Sequence, residues 1–209
     1  MRTSPKDGKP RPRCGQRFLR FVQLFAFLAC FLALTLPAAA QAPTLTENQI
    51  KAGFLFNFTK FVEWPADVFP DATSPIVLAI VGEDSFGDLL TQATAGKTVN
   101  GRTVLVKRFK DEQTLQACNI LFVGALEEKH IARILERLKG SSVLTVGETA
   151  GFAQSGGVIN FVVEANRVRL EINLDAALRA RLKISAKVIA VARLVTDRPS
   201  REKGTNAGF

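Results

Sequence analysis

PIVLAIVG, residues 75–82, is apolar at every position between its proline and its glycine. A strand with one wet face alternates apolar and polar side chains, so an unbroken apolar run of this length predicts a strand buried on both faces. NILFVG (119–124) and SVLTVG (142–147) have the same character. All three close on one pair, Val81-Gly82, Val123-Gly124 and Val146-Gly147. Helical stretches follow the first two runs: SFGDLLTQATA (85–95) and LEEKHIARILERLKG (126–140). In the second of these Ile131, Ile134, Leu135 and Leu138 share a face. Strand, helix and strand in alternation predict an α/β fold, a mostly parallel sheet with helices packed over it. Open sheets of this kind bind ligands outside the carboxyl ends of their strands. A candidate crevice there would be formed by Gly82, Glu83, Asp84, Gly124, Gly147 and Gly151, although Glu83 and Asp84 also suit the start of the following helix.

Upstream, FLFNFTKFVEWP (54–65) reads as a helix. Thr46 and Gln49 have the spacing of a capping box, and Trp64-Pro65 supplies the stop. At 100° per residue Ile50, Phe54, Phe58 and Phe61 fall within about 80° of one another and form the expected core stripe. Phe56 falls on the other side with Lys60 and Glu63. With Trp64 these residues form a candidate surface for a partner or a second subunit, because aromatic side chains bury much rigid area at interfaces.

Asn100-Gly101 marks a tight turn into a strand near 103–109. GVINFVVE (157–164), Ala165-Asn166 and RVRLEIN (167–173) form a C-terminal antiparallel hairpin. Its second arm alternates and reads as an edge or half-exposed strand. Residues 174–195 read as one or two helices with Ser185 as a cap between them, and 197–209 as a disordered tail. Phe152, alone among small residues in the loop 147–157, is either a plug over the sheet or an exposed anchor for a partner.

The formal net charge of +9 would suggest nucleic acid or an anionic membrane, but it is concentrated at one end. Residues 1–20 hold seven basic residues against Asp7, which is +6 and leaves +3 for the rest of the chain. After them come the apolar run 21–36, Pro37 and Ala38-Ala39-Ala40. Basic start, apolar middle and small residues form a secretory signal peptide, with cleavage expected after Ala40. The remaining chain is then an exported single domain, 41–196, with no nucleic-acid partner. Cys14 and Cys30 leave with the leader, so Cys118 has no internal partner and reads as a buried, inert thiol.

Catalytic patterns do not emerge. The sequence has no HExxH, GxSxG or CxxC, and its one histidine, His130, falls among charges on a helix. GEDSFG (82–87) lacks the spacing of a dinucleotide loop. No metal, no cofactor and no enzymatic activity are expected.

Taken in order, FLFNFTKFVEWP, IVGEDSFG, GKTVNGR, CNILFVG, VLTVGETAGFAQSGGVINFVVEANRVRLEIN and KISAKVIAVARLV resemble the YfiR family of periplasmic proteins over about residues 48–196. The resemblance implies a three-layer α/β sandwich and a non-catalytic, dimeric repressor. Such a repressor binds the periplasmic portion of an inner-membrane diguanylate cyclase and lowers cyclic di-GMP, with an outer-membrane lipoprotein as a further partner. Asn160, Glu171 and Asn173 match the family's NF and EIN motifs, and side-chain hydrogen bonds fastening the hairpin would account for them. Family members often carry paired cysteines; the unpaired Cys118 departs from that pattern. A small-ligand sensor using the strand-end crevice is the other reading.

Overall fold

The computed structural model describes residues 45–83, 86, 88–111, 117–126 and 128–198. The leader with its expected cleavage point, Asp84 and the tail from residue 199 onward lie outside them.

Helix α1 (Glu47–Phe61) starts as the sequence dictates. The Thr46 hydroxyl accepts from the Gln49 amide, and the Gln49 side chain accepts from the Thr46 amide. Strand β1 (Val62–Glu63) follows, then a 3₁₀ turn (Ala66–Val68) and β2 (Ile76–Val81). After α2 (Leu89–Thr94) come β3 (Thr98–Val99), β4 (Arg102–Phe109), β5 (Ile120–Val123) and α3 (Glu128–Arg137). Next are β6 (Leu144–Gly147), a 3₁₀ turn (Ala153–Ser155), β7 (Ile159–Glu164) and β8 (Arg167–Asn173). The chain ends in α4 (Leu174–Arg179), β9 (Lys183–Ile184), α5 (Ala186–Ile189) and β10 (Ala192–Val195).

Eight strands form one sheet in the order β10-β8-β7-β6-β5-β2-β4-β3; β1 and β9 pair separately and antiparallel. Neighbours in the large sheet run parallel except β7 with β8 and β3 with β4. The continuous apolar runs are buried on both faces, as their composition requires. Leu78 and Ile80 of β2, Phe122 of β5 and Val146 of β6 pack with Leu55 and Phe58 of α1. Ala79, Val81, Leu121 and Val123 point the other way, to Ile131 and Ile134 of α3 and to Phe152. The result is the mostly parallel three-layer α/β sandwich expected from the alternation of strands and helices.

Phenylalanines carry the larger core. Phe58 stacks with Phe54 at 6.2 Å and with Phe161 at 6.3 Å between centroids, and Phe86 meets Phe122 edge-on at 4.8 Å. Such offset and edge contacts suit the ring quadrupoles.

Three expectations are corrected. First, α1 is covered over more than one stripe. Its buried residues Lys51, Ala52, Leu55, Phe56, Phe58 and Thr59 span about 160° at 100° per residue, whereas Ile50, Phe54 and Phe61 are only partly buried. Phe56 packs with Ile76, Val99 and Val104, because the β3–β4 hairpin folds over that side of the helix. Second, β8 is no edge: β10 pairs with it in parallel, Leu194 beside Ile172. Third, 192–195 is therefore strand and not helix. Ser185 does cap a helix, accepting from the Lys187 amide, but α5 stops after one turn. The ordered contacts also continue past residue 196, since Asp197 accepts from Asn173 and the Arg198 amide donates to the Gln154 carbonyl.

Both turn readings agree with the structure. Asn100 and Gly101 have φ of 51° and 80°, and Ala165 and Asn166 have 48° and 58°. Left-handed conformation at both central residues is the geometry that matches strand twist in a two-residue hairpin.

Candidate functional site

The glycines expected to line a crevice at the carboxyl edge of the sheet are packed from within. A Cβ on Gly124 would lie 2.3 Å from the Glu83 carbonyl oxygen, and one on Gly147 would lie 2.4 Å from the Phe152 ring. Gly82, at φ +89°, faces the Leu126 side chain. Gly151, at φ +78°, faces the Arg198 guanidinium. These glycines make room for neighbouring protein. A recess of about 340 Å³ does lie outside Phe152, against Lys129, Ile131 and Thr149, and none of the three strand-end glycines lines it.

Phe152 resolves as the plug, 1% exposed, with its ring between Gly147 and Gly157. The alternative of an exposed anchor for a partner is corrected accordingly: a side chain this buried presents no surface. The same holds for Phe56 at 7% exposure. The ammonium groups of Lys60 and Lys97 sit 4.5 and 4.6 Å from the Phe56 ring centroid, so cation–π contacts screen what remains of it. Lys60 and Glu63 are exposed, and Glu63 pairs through its backbone with Lys183. Trp64 is half-buried and works as a strut: its indole N–H donates to the Asn119 carbonyl at 3.2 Å.

Asn119 is the residue that sequence reading passed over. It sits just ahead of β5, where its side-chain oxygen accepts from the Val77 amide at 2.8 Å and its own amide donates to the Val77 carbonyl. Its carbonyl also accepts from the Leu144 amide at 2.9 Å. One buried asparagine thereby joins β2, β5, β6 and Trp64. The only hint in the sequence is a polar residue at the mouth of an otherwise apolar strand.

The hairpin motif residues act as fasteners. Glu171, buried, accepts from Asn160, from Gln154 and from the Arg193 guanidinium, which also reaches Glu164. Asn173 donates to the Ala153 carbonyl at 2.9 Å and caps α4 by accepting from the Ala176 amide. Its second contact, to Asp197, belongs to an ion pair with Arg179 that, after allowance for burial, lowers the Asp197 pKa. Lys51 is held between Glu47 and Glu148, which ties α1 to the loop after β6. Burial opposes the charge of Lys51, and the two carboxylates more than offset it, raising its pKa.

Cys118 is free and buried, and burial pushes its thiol up to about 12. A protonated thiol is a poor nucleophile. Among the described residues, no group of three or more His, Cys, Asp or Glu is placed to hold a metal ion, and no helix is long and apolar enough to cross a membrane.

Exposed apolar side chains occur on α4 and in and just before β10. Leu178 is 76% exposed, Val191 61% and Leu194 53%, with Leu174 also open. Leu174 and Leu178 lie one turn apart on α4, and the register sets Leu194 beside Ile172, two residues before Leu174.

Among solved structures, the chain is similar to a conserved domain protein from Vibrio cholerae O1 biovar El Tor, at 13% identity and a TM-score of 0.48. The match covers 73% of this chain and spans 61% of the length of that one. Residues 48–193 match the YfiR/HmsC-like family, from the first turn of α1 into β10. The chain belongs to the YfiR/HmsC-like family.

Proposed function

We propose that the exported chain binds the periplasmic portion of an inner-membrane diguanylate cyclase and represses it without catalysis, lowering cyclic di-GMP and biofilm formation. The observation that carries this reading is the family match over 48–193, which takes in nearly every described element. The surface best suited to the grip is the apolar set Leu174, Leu178, Val191 and Leu194, because Phe56 and Phe152, first expected there, are buried. Apolar side chains standing together in water are commonly the core of a protein interface. A cleaved leader, a dimer and release by an outer-membrane lipoprotein belong to the same proposal.

Spheroplasts expose the periplasmic side of the inner membrane. Added purified chain is expected to lower cyclic di-GMP production in spheroplasts that carry the cyclase, and Leu178→Asp should weaken the effect about tenfold or more. Equal inhibition by the variant would remove this surface from the grip. Absence of inhibition by the wild-type chain would remove the repressor reading.

A further inference from the structure

At the amino edge of the sheet, opposite the packed glycines, lies a recess of about 570 Å³. Ligand sites for small molecules run roughly 300–1,000 Å³ and have mostly apolar walls with a few placed polar groups. Phe69, Val77, Leu138 and Val143 supply apolar wall here, drawn from a loop, two strand starts and the end of α3.

The wall is built in advance. In the loop before β2, the Asp71 carboxylate accepts from the amides of Thr73 and Ser74 at 2.7 Å, and these bonds, with that from the Thr73 hydroxyl, lower its pKa to about 2. Arg102 donates to the carbonyls of Asp71 and Ser74 and lays its guanidinium 4.0 Å over the Phe69 ring. Phe69 is thereby held in place before anything binds.

Two polar groups in this recess have no partner among the described residues. Ser142 is 7% exposed and its hydroxyl has no hydrogen-bond partner among the described residues, which is costly for a buried polar atom. Arg137, also lining the recess, has no hydrogen bond or ion pair among the described residues. Among the described residues, no aspartate or glutamate lines the site. An unpaired guanidinium offers a planar fork that fits a carboxylate, and an unpaired hydroxyl can donate a further hydrogen bond to it.

We propose that this amino-edge recess binds a small carboxylate with an aliphatic body, its head on Arg137 and Ser142 and its chain against Phe69, Val77, Leu138 and Val143. The proposal stands independently of cyclase binding.

The full chain contains one tryptophan, Trp64, and its indole donates to the carbonyl of Asn119, a residue that lines the recess. Intrinsic fluorescence therefore reports on the site. Titration with octanoate is expected to give a saturable change. Affinity should rise about fourfold for each added methylene from hexanoate to decanoate. 1-Octanol should bind about tenfold more weakly than octanoate. Arg137→Gln, on an exposed helix position, should leave thermal unfolding unchanged, cost about tenfold for octanoate and leave octanol unaffected. Isothermal calorimetry covers the case of a silent indole. The proposal is overturned if neither method detects saturable octanoate binding at millimolar concentration. It is equally overturned if octanoate and octanol bind alike and Arg137→Gln changes neither.

Discussion

At the carboxyl edge of the sheet, Phe152, Leu126 and the Glu83 backbone press against Gly147, Gly82 and Gly124; at the amino edge, Val77, Asn119 and Val143 look onto a recess of about 570 Å³. Parallel α/β sheets usually leave the carboxyl edge for ligands. Here the strand-end glycines admit protein, and the unpaired polar groups, Ser142 and Arg137, stand at the opposite edge. A glycine at a strand end signals close approach, and what approaches it must be read from the neighbours.

That contrast can be broken most severely at the plug. Phe152→Ala should destabilise the fold by about 3–5 kcal/mol in urea unfolding, because the emptied space between two glycines has little else to fill it. Gly147→Ala should cost about 1–3 kcal/mol by overpacking the same ring. In a Phe152→Ala background the Gly147 penalty should shrink towards zero; a fully additive pair would show that ring and glycine do not meet.

At the open edge, Asn119→Ala should cost about 1–3 kcal/mol, since the Val77 amide loses its acceptor. An unchanged unfolding midpoint would refute the part given to that side-chain bond. Away from both edges, Ala165→Gly should stabilise by about 1 kcal/mol, because φ of 48° is costly for alanine. No rise in the unfolding midpoint would mean the turn relaxes.

The smallest effect at neutral pH concerns Cys118. Its folded pKa is raised by burial from 9.0 to about 12, so folding favours the protonated thiol. The associated stability is present in full below the unfolded value and is lost as pH rises through the window from 9.0 to about 12. Cys118→Ala should flatten that alkaline decline relative to wild type in midpoints measured from pH 8 to 11. Identical slopes would assign the decline to other groups.

How far the sequence could be read follows the range of the forces involved. Capping of α1, the two hairpin turns and the doubly buried strands are short-range signals, and all were legible. The fate of Phe56 was not, because the hairpin that covers it comes some forty residues later, at Val99 and Val104. Nor was β10: RLV in a helical-looking segment becomes strand only because β8 offers an open edge and Glu171 a carboxylate for Arg193. The repeated Val-Gly ends pointed to tight backbone approach, yet nothing local to them names Phe152 or Leu126 as the occupants. Asn119 carried no periodic signal at all.

The account as a whole depends on the chain acting as a brake on cyclic di-GMP synthesis, and the nucleotide itself is the direct readout. Cells lacking the chain should contain more cyclic di-GMP than the parent, and re-expression of the wild-type chain should bring the level back down. A level unchanged by deletion, in cells shown to produce the chain and an active cyclase, would contradict the account.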